Sequence, residues 1–224
     1  MMIFLVLFLV SLSLGCLSKD DEQGKLDIGV VYRLNLESTM SDKQQNVNTK
    51  ECPTIVSRTE WNARSPKCNE TMKTPVPFVI IHHTHMDRCH DYDHCCAEVR
   101  KIQDFHMDVR GWCDIGYTFL VGEDGRVYEG RGWDTIGAHC PWYNHQSIGI
   151  SIMGDFTTVI PDKIATDTVQ ALIKCAVERG KLSPDFILYG HRQGRNGTTC
   201  PGDALFKEIQ SWPHWKPGDH FPPK

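Results

Sequence analysis

Between residues 52 and 215 the apolar positions change period repeatedly, from the two-residue alternation of strands to the three-and-four spacing of helices. PFVIIHHT (residues 77–84) reads as a strand, with Phe78, Ile80 and His82 on one face and Val79, Ile81 and His83 on the other. Residues 96–109 read as a helix whose apolar stripe is Val99, Ile102, Phe105 and Val109. Residues 117–121 and 126–129 flank Glu-Asp-Gly, a hairpin signal. Residues 147–153 form a continuous apolar strand, and 161–179 a second helix opened by proline and stopped by Gly180. Residues 186–189 read as a strand that delivers His191. Residues 201–212 close the series as a helix with Leu205, Ile209 and Trp212 facing inward. Strands interleaved with helices predict an α/β domain, a central mixed β-sheet flanked by about three helices.

The flanks differ in pattern. Residues 1–18 open with MMIFLVLFLVSLSLG, too short for a comfortable membrane span, and read as a secretory signal peptide that lacks the usual positive n-region. Residues 19–51 are polar and without period, apart from a short apolar patch at 28–32, and read as a flexible leader. Residues 52–215 make one domain, and 216–224 a tail. A net charge of −4 and a pI near 6.2 give no electrostatic case for nucleic acid or for an anionic membrane surface.

Chemistry concentrates in two places. GHRQGRNGTTCPG (residues 190–202) places a histidine nine residues before a cysteine, and IIHHTH (residues 80–85) ends a strand in histidines. Two imidazoles and a thiolate are ligands that zinc prefers, and three protein ligands leave its fourth position open, as in catalytic sites. Ten cysteines are written, and Cys16 falls at the edge of the signal peptide, which leaves nine. An odd number in a secreted domain points to one thiol outside the disulfides.

These blocks, with GWCDIGYTFLVGEDGRVYEGRGW, GAH and SIGISIMG between them, resemble the peptidoglycan recognition proteins, relatives of phage-type zinc amidases. The resemblance covers most of residues 52–215. It implies zinc held by His82, His191 and Cys200; His83, on the opposite strand face, reads as a hydrogen-bonded core histidine. It implies catalytic parts for Tyr117 and Thr198, and bridges Cys52–Cys175, Cys68–Cys113 and Cys89–Cys95. Cys96 and Cys140 remain, and by parity alone they pair with each other. The implied substrate is bacterial peptidoglycan, cut between N-acetylmuramic acid and L-alanine, with groove contacts at Thr84, His106, Arg110, Tyr117, His139 and Asn144. Gly111-Trp112 and Arg131 match the family's preference for meso-diaminopimelate stems, in which an arginine fork would read the extra carboxylate. The rival expectation is a receptor or opsonin that binds peptidoglycan without cutting it. Members of that kind lose a zinc ligand, and this chain keeps all three.

Overall fold

The structure, a computed structural model, describes residues 52–221. The expected signal peptide and leader lie outside the described residues. Among the described residues no helix is long and apolar enough to cross a membrane.

In chain order the elements are β1 (Ile55–Val56), β2 (Val76–His83), α1 (Tyr92–Asp104), a π-helical turn (Phe105–Val109), β3 (Phe119–Val121), β4 (Val127–Glu129), β5 (Ser147–Ile152), α2 (Lys163–Glu178), β6 (Leu182–Gly190), α3 (His191–Gly194) and α4 (Asp203–Ile209). The strands form one mixed sheet in the order β1-β4-β3-β5-β2-β6. β5, β2 and β6 run parallel, with β6 at the sheet's edge, and β3–β4 is the antiparallel hairpin expected around Glu123-Asp124-Gly125. The expected α/β class holds, with β1 and the short α3 added.

Period two sorts the core. Val79 and Ile81 of β2, Phe119 and Val121 of β3, and Ile148, Ile150 and Ile152 of β5 all enter one apolar cluster. Val169, Leu172 and Ile173 of α2 cover it, with Leu205 and Ile209 of α4 and Trp212. Burying a side chain of this size contributes about 1.5–3 kcal/mol. On the opposite face Val99 and Ile102 of α1 pack against Trp61, Leu120 and Tyr128. A third, small cluster gathers Ile80, Cys140, Tyr143 and Tyr189. β5 is therefore less uniform than its apolar run indicates. Ser147, Gly149 and Ser151 alternate with the isoleucines, and they leave room on the face that carries His82, which pairs in register with Ser151.

The first helix departs from expectation at both ends. It begins at Tyr92, because the Asp91 carboxylate accepts the His94 N–H at 2.9 Å and caps it. At its far end the backbone widens into the π-helical turn, which throws the apolar stripe out of phase. Val99 and Ile102 are buried as expected, whereas Phe105 is 40% and Val109 71% exposed. α2 ends as predicted, with Gly180 at φ 65° and the Lys181 N–H returning to the Ala176 carbonyl.

Cys52–Cys175, Cys68–Cys113 and Cys89–Cys95 are bridged as the resemblance implies. The fourth bridge does not form. Cys96 and Cys140 are free and buried, and they sit in separate apolar clusters, Cys96 on the buried side of α1 and Cys140 beside Tyr143 and Tyr189. Parity could not see that distance. Of the expected tail, Lys216, Gly218 and His220 touch the domain. The His220 ring stacks on Tyr189 at 4.2 Å, and the Gln193 amide donates to the Lys216 and Gly218 carbonyls.

Candidate metal centre and cleft

Three parallel strands end at one edge of the sheet, where α/β folds place their ligands. β2 ends in His82-His83. β6 ends at Gly190, the register partner of Ile81, so His191 emerges beside His82 with ring centroids 4.3 Å apart. Cys200 returns to the same point from the loop after α3, and the loop is closed by the Arg192 N–H donating to the Cys200 carbonyl at 2.9 Å. The His83 N–H points at the Cys200 Sγ at 3.4 Å. The sulfur lies 3.7 Å from His82 Nδ1, and ligand atoms of His82, His191 and Cys200 all fall within 4.8 Å of one another.

The donor set fits zinc. Zn–S of about 2.3 Å and Zn–N of about 2.0–2.1 Å put two ligands of a tetrahedral ion about 3.3–3.6 Å apart. His191 Nε2 is buried and has no hydrogen-bond partner, an orphan that a metal would satisfy. Burial, reinforced by the neighbouring histidines, holds His82 well below the ordinary imidazole value, and burial with nearby Arg195 brings His191 down to about 4. Both rings therefore keep a lone pair to give. Burial pushes the Cys200 thiol up to about 12, so a thiolate at this place needs a cation beside it.

His82 and His191 form part of the wall of a cleft of about 520 Å³. Of the residues expected to contact substrate, the structure brings Thr84, His106, Arg110, Trp112, Tyr117 and His139 together in that wall. Tyr117 faces both sides of the site, with its ring 5.3 Å from His82 and 5.6 Å from His106. Burial, with Cys200 nearby, raises its phenol above the ordinary tyrosine value, so the hydroxyl stays a donor. His106 Nδ1 accepts the Gly116 N–H at 3.0 Å, and burial brings this imidazole down to about 4.

The other expected residues lie outside that wall. Asn144 Oδ1 accepts the N–H groups of His139 and Cys140 at 2.8 and 2.9 Å and so fixes the loop that carries His139. Thr198 Oγ1 accepts the Cys200 N–H at 3.2 Å. Gly111 lies on the surface with φ 69°, a conformation that favours glycine. Arg131 does not present an open fork. Its Nε donates to the Ile115 carbonyl and its Nη1 to the Ile136 carbonyl, both at 2.7 Å. His83 is the core histidine expected, buried and accepting the Phe156 N–H at 3.2 Å.

Sequence reasoning missed Phe105 and Arg195, which also line the cleft. Phe105 read as core because nothing in its spacing announces a π-helical turn. Arg195 sits inside the GHRQGRNGTTCPG block itself, where only His191 and Cys200 carry a metal-ligand signal.

A family model described as N-acetylmuramoyl-L-alanine amidase matches residues 72–203. Peptidoglycan recognition protein 1 of Bos indicus is 44% identical over 75% of this chain and 88% of its own length. The N-acetylmuramoyl-L-alanine amidase of Homo sapiens is also 44% identical, over 73% of this chain but 29% of that longer protein. Among solved structures, the Drosophila PGRP-LB Y78F mutant in complex with tracheal cytotoxin aligns with a TM-score of 0.72 and 45% identity, covering 75% of this chain and all of that one. The chain belongs to the peptidoglycan recognition proteins, within the N-acetylmuramoyl-L-alanine amidase family.

Proposed function

We propose that this chain is a secreted, zinc-dependent N-acetylmuramoyl-L-alanine amidase that binds bacterial peptidoglycan and serves in defence against bacteria. The observation that carries the reading is the convergence of His82, His191 and Cys200 within 4.8 Å at the wall of an open cleft. His82 Nδ1, His191 and the Cys200 sulfur would hold the ion. Bound zinc would polarise the scissile amide carbonyl and lower the pKa of a coordinated water to about 7. Tyr117, protonated and beside His82, donates a hydrogen bond to the carbonyl oxygen as negative charge develops on it. Thr198 acts on Cys200, holding its N–H and with it the loop that aims the sulfur. Thr84, His106 and Arg110 line the path of the peptide stem.

Peptidoglycan as ligand is supported by the relatives' names and by the tracheal cytotoxin complex of the Drosophila protein. A preference for meso-diaminopimelate stems is supported by the family resemblance at Gly111-Trp112 and Arg131. Arg131 stands outside the cleft wall, against a neighbouring pocket with Arg58 and Asp114, and with Nε and Nη1 engaged it would take the extra carboxylate through Nη2. The second reading, binding without cleavage, is favoured by the recognition-protein names among the relatives. Digestion of peptidoglycan with and without a zinc chelator separates the two. An amidase releases stem peptides with a free L-alanine amino terminus, and the chelator stops the release; a receptor retains the polymer and releases nothing in either arm.

A further inference from the structure

His139 lines the cleft, but its ring also faces a metal ligand. His139 Nδ1 lies 3.0 Å from His82 Nε2, and the two rings meet edge to face at 87°. On its other side His139 Nε2 lies 3.4 Å from the Ser147 Oγ, and that hydroxyl donates to the Tyr143 carbonyl at 2.7 Å. All three side chains are buried.

Counting protons along this row leaves one assignment. The Ser147 hydroxyl has a single hydrogen, and the Tyr143 carbonyl, which can only accept, takes it. Ser147 Oγ must therefore accept from His139, which puts the His139 proton on Nε2. A neutral imidazole carries one proton, so His139 Nδ1 is bare and accepts. Across the 3.0 Å contact His82 Nε2 must then be the donor. The lone pair of His82 is thereby fixed on Nδ1, the nitrogen that stands 3.7 Å from the Cys200 sulfur.

The sequence has made room for this row. A Cβ at Gly149 or at Gly137 would lie 2.5 Å from the His139 ring, so the glycines of the SIGIS and GAH blocks admit an imidazole here. Asn144 Oδ1 holds the backbone beneath it. A residue kept only to touch substrate would need neither a hydroxyl behind it nor a metal ligand in front.

We propose that His139 is a positioning residue for the metal, with Ser147 as its anchor: the Tyr143 carbonyl, Ser147 and His139 together select the tautomer and the ring orientation of His82. The proposal rests on the zinc reading above, and it goes beyond the cleft contact that the resemblance assigns to His139. Partners of this kind typically change metal affinity by about tenfold to a hundredfold when removed.

The test is zinc affinity by chelator competition on the full chain at one pH, for the unaltered protein, His139→Ala, His139→Asn and Ser147→Ala. His139→Ala should weaken zinc by about tenfold to a hundredfold. His139→Asn, whose amide oxygen can accept near the Nδ1 position, should recover most of that loss. Ser147→Ala, which touches neither zinc nor the cleft, should weaken zinc in the same direction by less. Long-range ¹H–¹⁵N spectra of the zinc-loaded unaltered protein should show His82 protonated on Nε2 and metallated on Nδ1, a readout that survives any failure of a variant to fold. Zinc affinity unchanged in both His139→Ala and Ser147→Ala, or metal on His82 Nε2, overturns the proposal. An unaltered chain that binds no zinc overturns the metal reading itself, and that result is visible before any variant is compared.

Discussion

The ring of His139 fills the space that a side chain at Gly149 would require. A Cβ at Gly149 would stand 2.5 Å from the imidazole carbons, and the imidazole is buried between the sheet and the cleft. Gly149→Ala should displace His139 and cost about 1–3 kcal/mol of stability, the range for overpacking a filled site. Urea unfolding of the metal-free protein measures this. A cost below about 0.5 kcal/mol would mean that the ring can move aside freely.

His106 makes stability depend on pH. Its imidazole titrates at about 4 in the folded protein, because burial disfavours the charged form, against 6.5 for the free side chain. Below the unfolded value the unfolded chain binds the proton more readily, so folded stability is lost as pH falls from 6.5 toward about 4 and is complete above that window. The loss attributable to this group is on the order of 3 kcal/mol. His106→Gln, which keeps an acceptor for the Gly116 N–H, should flatten that part of the profile. Identical slopes for the two proteins between pH 4 and 6.5 would refute the assignment.

Among the described residues, thiol chemistry separates three cysteines from the other six. Alkylation in denaturant with chelator and without reductant should label Cys96, Cys140 and Cys200, and leave Cys52–Cys175, Cys68–Cys113 and Cys89–Cys95 intact. A peptide joining Cys96 to Cys140 would contradict the fold, and Cys200 in a native disulfide would remove it from the metal centre.

Stem preference tests Arg131. The meso-diaminopimelate type should be cut faster than the lysine type by about 1.5–3 kcal/mol, roughly tenfold to a hundredfold, if one charged hydrogen bond decides it. Arg131→Ala also frees the Ile115 and Ile136 carbonyls, so both rates can fall. The ratio between substrates is the quantity that should collapse toward one. A ratio preserved in the variant would clear Arg131 of the role.

The elements that could be read from the sequence are those governed by local period and local turn chemistry. β2 showed its two faces because Val79 and Ile81 alternate with Ile80 and His82, and α2 showed its end because Gly180 takes a left-handed φ. The apolar stripe that marks α1 begins only at Val99, so it does not show the first turn that the Asp91 cap sets at Tyr92. Phe105 misled for a deeper reason. A π-helical turn adds a residue to the turn, and the three-and-four spacing that marks a buried stripe fails there. The metal ligands stood out through residue type and through the family blocks. The row from Ser147 through His139 to His82 did not, because Ser147 sits in an apolar strand and its role depends on a register that only the folded sheet provides.

The most direct test of the central reading is Cys200→Ser, measured for both cleavage and binding. The variant loses the sulfur ligand while the cleft wall, which Cys200 does not line, stays in place. Release of stem peptides should fall to background, and retention of insoluble peptidoglycan should persist. Release by the serine variant at the rate of the unaltered chain would contradict a zinc amidase built on His82, His191 and Cys200.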